Sequence, residues 1–350
     1  MEAKDSQGAK SGRSVRIGDV AAKAGVSTAT VSRTLAFPDK VRPATRQRVM
    51  EAVDRLGYTP NEAARALRAG ASRMVLVVIP QDYSGAFFAG VIRGADAELS
   101  AHGYTILMGS LDGDAGKARR LVDLVFARQI DGAIVLSGAP PSVEGRSILS
   151  AGVPVIAVCA EIDGAQLPAA LVDDFACAQI QTQHLLDLGH RRLHYISGIE
   201  GSYNEVQRYR GFLAAAARAG IGADAVSRSL GNYSLASGAA AAHEFLRQPQ
   251  RATGIVACSD EMAIAFLKTI NQAGVKCPGD VSIVGFDDIE FASFCEPALT
   301  TIRQPSHALG ATGAAMLLAA LRGEADAASL RAVFPGELII RGSTGPAPAF

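Results

Sequence analysis

Cysteine is scarce in this chain of 350 residues: Cys159, Cys177, Cys258, Cys277 and Cys295 are odd in number, widely spread, and show no CxxC or Cys/His metal-ligand spacing. That pattern excludes a disulfide framework and a zinc site, and fits buried free thiols in a reducing compartment. A long uncharged apolar segment is missing too. The strongest run, Met74–Pro80, is far too short to cross a hydrocarbon layer of about 30 Å. The N-terminus MEAKDSQGAKSGRS lacks the apolar stretch of a secretion signal and reads as a disordered polar lead-in over 1–15, so a cytoplasmic protein without membrane contact is expected. There is no Walker loop, no GxSxG and no HExxH, and His102, His184, His190, His194, His243 and His307 are not spaced with metal-ligand partners. Neither an enzyme, nor a metal site, nor a cofactor is expected.

Net charge is also missing, but the zero hides an asymmetry. Residues 1–73 hold 14 Lys/Arg against 7 Asp/Glu, which leaves 20 against 27 for residues 74–350, so a head of +7 precedes a body of −7. A basic head on an acidic body is the electrostatic footprint of a nucleic-acid-binding module joined to something else. With 49% hydrophobic residues the chain can bury a large core, and its length fits roughly two or three domains.

Within the basic head, the stretch IGDVAAKAGVSTATVSRTL over 17–35 places small and apolar residues where two short helices must cross at a tight turn. Ala21 allows close approach, Gly25 allows a left-handed turn, and Val31 fills the wedge. This spacing predicts a helix-turn-helix, whose usual task is to read DNA. Ser27 is placed to cap the second helix or to hold a phosphate. Thr28 and Ala29 fall in its first turn, with Ser32 and Arg33 on the same exposed face, while Val26, Val31 and Leu35 point inward. Thr28 can bond base edges or phosphate, and Ala29 can touch a thymine methyl. Arg33 can pair with guanine for about 1–3 kcal/mol of discrimination, although an isolated surface arginine is more often a solvated charge. A third helix is expected over Ala44–Leu56, closed by Gly57, which completes a head at 16–58. Asn61 can then cap a short basic helix, Glu62–Arg68, inside a linker at 59–73.

From Met74 the period changes. Apolar runs at 75–79, 104–108, 132–136 and 153–158 alternate with helical stretches near 87–101, 115–128 and 142–151. A second series has runs at 193–196, 226–230, 253–257 and 281–286 and helices near 175–188, 205–219, 236–247 and 260–273. Alternation of this kind predicts an α/β core, 74–342, of two doubly wound parallel-sheet subdomains with a ligand cleft where strand ends face each other. The segment 299–342 is a candidate to cross between them, and 343–350 reads as a flexible tail.

The strings VSTATVSR, Thr45-Arg46, LGYTPNEAARALR, VLVVIP, DLGHRR, CSDEMA, VSIVGFDD and PALTTIRQP resemble the LacI/GalR family, across nearly the whole chain. Within it, TATVSR followed by PDKV, RQIDG, FCEPALTTIRQP and ELIIRGST are most similar to a nucleoside-responsive member. The resemblance implies a periplasmic-binding-protein-like core behind the DNA head. It also implies a homodimer on a pseudo-palindromic double-stranded operator, and a small-molecule effector that sets operator affinity. It makes Leu67 a hinge-helix wedge for the minor groove, or a contact between paired hinge helices, with Ala64, Arg65 and Arg68 beside it and the arginines on phosphates. It places Phe87, Phe88, Arg208, Asp287 and Gln304 at the effector, with Cys159 where sugar-binding members carry a carboxylate. Each has a structural alternative: the phenylalanines as core, Asp287-Asp288 as a helix cap. A sugar- or purine-responsive regulator, or a solute-binding or enzymatic use of the core, are the competing readings.

Overall fold

The structure, a computed structural model, describes residues 15–58, 71–80, 85–111, 113–324 and 329–349. The chain divides into two compact units between Ser72 and Arg73. Ala64, Arg65, Leu67 and Arg68 lie outside the described residues.

Among its described residues the first unit holds three α-helices, α1 (Ile17–Ala24), α2 (Thr28–Ala36) and α3 (Pro43–Leu56). In α1, Asp19 Oδ2 accepts the Arg16 amide at 2.8 Å, which satisfies one of the donors that a helix start leaves over. The helix stops at Gly25 with φ 66°, where the Val26 amide returns to the Ala21 carbonyl at 3.1 Å. Ser27 Oγ then accepts the Thr30 amide at 3.2 Å and starts α2. Pro43 opens α3, and Gly57 at φ 60° closes it. Val20, Ala21, Ala24, Val31, Val49 and Ala52 form the small core of this unit, so the Ala/Gly/Val spacing works as a packing code.

In the second unit, a first sheet runs in the order β13-β7-β6-β3-β1-β2. It is built from β1 (Met74–Ile79), β2 (Thr105–Ser110), β3 (Gly132–Val135), β6 (Val155–Val158), β7 (Ala169–Val172) and β13 (Arg331–Phe334), all parallel. A second sheet runs β14-β12-β11-β10-β8-β9. Its strands are β8 (Leu193–Ile196), β9 (Val226–Ser229), β10 (Gly254–Ala257), β11 (Ser282–Asp287), β12 (Thr300–Arg303) and β14 (Glu337–Ile339), with only β14 antiparallel. The central strands read as unbroken apolar runs because helices cover both faces, and Leu76, Val78, Ile255 and Val256 are fully buried.

The chain crosses between lobes at Val172–Asp174, at Arg303–Ser306 and at Phe334–Glu337, so the segment 299–342 does pass from one lobe to the other and back. The second crossing delivers a helix, Ser306–Leu321, to the first lobe, where it packs along the helix Gly85–Ala101. Glycines make this contact possible. A Cβ on Gly310 would run into the carbonyl oxygen of Val91 and stand 2.8 Å from its carbon, and a Cβ on Gly94 would do the same to the carbonyl of His307.

Two expectations are corrected. Residues 142–151 form no helix but a two-stranded hairpin, β4 (Ser142–Val143) with β5 (Arg146–Ser147), followed by a single 3-10 turn, Ile148–Ser150. Pro140 and Pro141 hold the entry extended, and Glu144 and Gly145, at φ 50° and 77°, make the two-residue turn that such hairpins prefer. Nor is the stretch after 342 a free tail. Ser343 is fully buried, its Oγ donating to the Ile283 carbonyl at 2.7 Å and accepting the Thr300 amide at 2.8 Å. The Gly345 amide reaches Ser282 Oγ at 3.0 Å and the Ala347 amide reaches the Leu188 carbonyl at 2.8 Å. The Pro and Gly residues shape an extended strap whose backbone groups are bonded to the second lobe.

Candidate functional site

Ser27, Thr28, Ala29 and Arg33 are exposed, and Ser32 is half-buried, so the face expected to meet DNA stands clear of the head's core. Ser27 Oγ is engaged by its own helix, at 3.2 Å from the Thr30 amide and 3.0 Å from Thr30 Oγ1. Capping therefore accounts for it without a phosphate. Thr34 Oγ1 turns back to the Thr30 carbonyl at 2.8 Å, and Arg33 is the one cation in the sequence of α2.

In the core, the strands of both sheets point their carboxyl ends at one cavity, partly open to solvent. Parallel α/β sheets bind ligands at that end because the connecting loops gather there around the point where strand order reverses. Pro80 follows β1, Leu136 and Ser137 follow β3, and Cys159 follows β6. From the second lobe come Ile199, Ser202 and Asn204 after β8, Tyr233 after β9, Asp287 at the end of β11 and Gln304 after β12. Phe87 and Phe88, in the first turn of the helix Gly85–Ala101, close one side with their rings edge-to-face at 5.1 Å.

All the candidate effector residues, Phe87, Phe88, Cys159, Arg208, Asp287 and Gln304, thus line one space. Arg208 is nearly buried and held on three sides. Its Nε donates to Asp174 Oδ1 at 2.7 Å, its Nη1 donates to the Cys258 carbonyl at 2.5 Å, and its guanidinium lies over the Phe286 ring at 3.6 Å. Burial opposes its charge, but Asp174 together with Cys258, Tyr233 and Asp287 outweighs burial, and its pKa rises further above the ordinary arginine value. Burial pushes the Asp174 carboxyl up while Arg208 and Asn204 pull it back. Asp287 takes the Gln304 Nε2 donor on Oδ1 at 2.5 Å, and burial raises its pKa against the pull of Arg208. Its backbone, at φ 119°, is one that side chains rarely adopt. Asp287 caps no helix, and the neighbouring Asp288 is tied to Arg303 at 2.7 Å and Arg341 at 2.6 Å. Burial keeps the Cys159 thiol protonated, so it offers a soft apolar wall and no charge.

Asp174, Asn204 and Tyr233 were missed from sequence. Asn204 sits in the polar string GSYNEV that follows the strand LHYI, in the first turn of the helix Tyr203–Arg218, and its place near a strand's carboxyl end was a usable signal. Asp174 and Tyr233 offered none, because their roles depend on which segment returns to which lobe. Among the described residues no group of His, Cys, Asp and Glu is arranged to hold a metal, and no helix is long and apolar enough to cross a membrane.

Residues 16–61 match the family model described as bacterial regulatory proteins, lacI family, and residues 182–344 match that of the periplasmic binding protein-like domain. The HTH-type transcriptional repressor CytR of Escherichia coli (strain K12) is 36% identical over 333 residues, 94% of this chain and 96% of its own. A solved complex of the transcriptional regulator CelR with cellobiose is similar at 29% identity and TM-score 0.72, covering 94% of this chain and 99% of that one. The lac repressor dimer bound to operator and the anti-inducer ONPF shares the fold at TM-score 0.83 and 24% identity, covering 95% and 100%.

Proposed function

The chain belongs to the LacI family of bacterial regulators, and from that membership we propose that it is a cytoplasmic, homodimeric, sequence-specific repressor whose grip on a pseudo-palindromic operator is set by a small molecule bound between the core lobes. One observation carries this reading: the same chain has a capped recognition helix with an exposed first turn and a two-lobed core with a cavity at facing strand ends. Thr28, Ala29 and Arg33 read bases, and Arg65, Arg68, Ala64 and Leu67 serve the operator's centre through the hinge. Two-fold symmetry doubles the few base pairs one head can cover. Phe291 and Phe294, 66% and 77% exposed on the second lobe, are apolar surface that a second copy would cover.

The effector is a nucleoside in this reading. Phe87 and Phe88 with Leu136 and Ile199 suit a flat ring, while Arg208, Asp287 and Asn204 suit hydroxyl and carbonyl groups. Cys159 stands where a sugar-binding relative would use a carboxylate, which favours the nucleoside over a simple sugar. A purine base is the second reading for the same walls. The chain acts as a binder in this reading: among the described residues that line the cavity the one thiol, on Cys159, is kept protonated by burial.

Selection of bound duplexes from random DNA by the full-length protein tests the DNA half. The expected product is an inverted repeat, and Arg33→Ala is expected to relax preference at one base position per half-site, by about tenfold. A direct repeat or no repeat would overturn the symmetric reader, and an unchanged preference profile would make Arg33 a phosphate contact.

A further inference from the structure

The helix Tyr203–Arg218 belongs to the second lobe, yet its first two side chains reach the first. Asn204 Nδ2 donates to the carbonyl of Cys159, at the end of β6, at 2.8 Å. Its other amide hydrogen goes to Asp174 Oδ2 at 2.9 Å, on the same carboxylate whose Oδ1 holds Arg208. Beside it, Tyr203 Oη donates to Glu161 of the first lobe at 3.5 Å, and Glu161 is itself ion-paired with Arg331 of β13. The backbone of Cys159, at φ 68°, ends the β6 ladder in a left-handed turn and leaves its carbonyl to Asn204. Both amide hydrogens of Asn204 are spent on protein, so its Oδ1 is the atom it offers to the cavity it lines.

We propose that Tyr203 and Asn204 form a clasp that holds the lobes together by direct protein contacts, and that Asp174 couples this clasp to the cavity cation Arg208. Resting on the reading of the cavity as the effector site, the clasp makes effector binding a selection among lobe arrangements the protein already samples. Its strength sets the closed population, and with it the apparent effector affinity, since an effector pays for any closed population the protein lacks. Only the Tyr203–Glu161 half of the clasp stands apart from the wall that touches ligand, because Asn204 lines the cavity and Tyr203 and Glu161 do not.

Hydrogen exchange on the full-length protein without added ligand tests this apart from the identity of the effector. Asn204→Ala is expected to speed exchange of the amides at 136–138, 159–162 and 199–203 about tenfold, the factor that one or two net hydrogen bonds supply, while strand amides at 75–78 and 254–257 keep their wild-type rates. Tyr203→Phe is expected to act in the same segments and more weakly. Unchanged exchange at the cavity mouth, or equal acceleration in both sheets, would overturn the clasp. Calorimetric titration of Tyr203→Phe with cytidine then separates the two ideas, because Tyr203 does not line the cavity: a Tyr203→Phe protein that opens and binds cytidine less tightly supports both. Faster exchange with no cytidine binding, even by the wild type, would remove the nucleoside reading and leave the clasp standing.

Discussion

Gly310→Val is expected to prevent the first lobe from reaching its native packing, with loss of soluble folded core or destabilisation of more than about 3 kcal/mol. The obstacle is backbone, which cannot rotate away. A Cβ at 310 would collide with the Val91 carbonyl oxygen and lie 2.9 Å from the Ala95 amide nitrogen, so the helix Ser306–Leu321 would have to lift off the helix Gly85–Ala101. Gly94 faces it with the reciprocal problem at His307, and no single side-chain rearrangement relieves both. The consequence reaches the cavity, because Phe87 and Phe88 start one of these helices and Gln304 leads into the other. Gly85→Ala is the control. Among the described residues nothing lies within 4 Å of its would-be Cβ, and its stability should stay within about 0.5 kcal/mol of wild type. Chemical unfolding monitored by circular dichroism distinguishes the two, and a Gly310→Val protein as stable as wild type would contradict the close-packed helix pair.

Arg208→Leu is expected to cost about 3–5 kcal/mol and to abolish effector binding. Asp174 is 2% exposed and Arg208 5%, so removing the guanidinium strands a carboxylate that has lost its main counter-charge. The Cys258 carbonyl and the Phe286 ring lose their partner as well. The paired change Arg208→Leu with Asp174→Leu should recover much of the stability and none of the binding, because two apolar groups can replace a buried pair in packing but not in recognition. Thermal unfolding and calorimetry on wild type, single and double variants check this. Retention of effector affinity in Arg208→Leu would take Arg208 out of the recognition set.

The sheets were readable because strands buried on both faces announce themselves as apolar runs, as Val75–Ile79 and Val281–Phe286 do. The head was readable because Gly25 and Ser27 state a helix end and a helix start in residue types that suit little else. The hairpin at 142–147 was misread as the start of a helix, because the turn chemistry of Glu144-Gly145, both at positive φ, was not weighed. The strap after 342 was misread because Pro and Gly signal an absence of regular structure, and say nothing of whether backbone donors find partners at long range. The cavity divides the same way. Arg208, Asp287 and Gln304 sit in motifs, and Asn204 stands just past a strand end, whereas Asp174 acquires its partners only once the chain has crossed between lobes, and no local pattern encodes that.

Coupling between the cavity and the DNA head is tested most directly by one titration. The full-length protein is bound to the inverted-repeat duplex it selects, at fixed salt, and cytidine, adenosine, free purines and simple sugars are added in turn while fluorescence anisotropy follows the duplex. A nucleoside is expected to change the apparent Kd for DNA at least about tenfold, the scale of ordinary allosteric coupling, and the change should vanish in Arg208→Leu with Asp174→Leu. A Kd that no compound moves, or that moves equally in the cavity double variant, would contradict it.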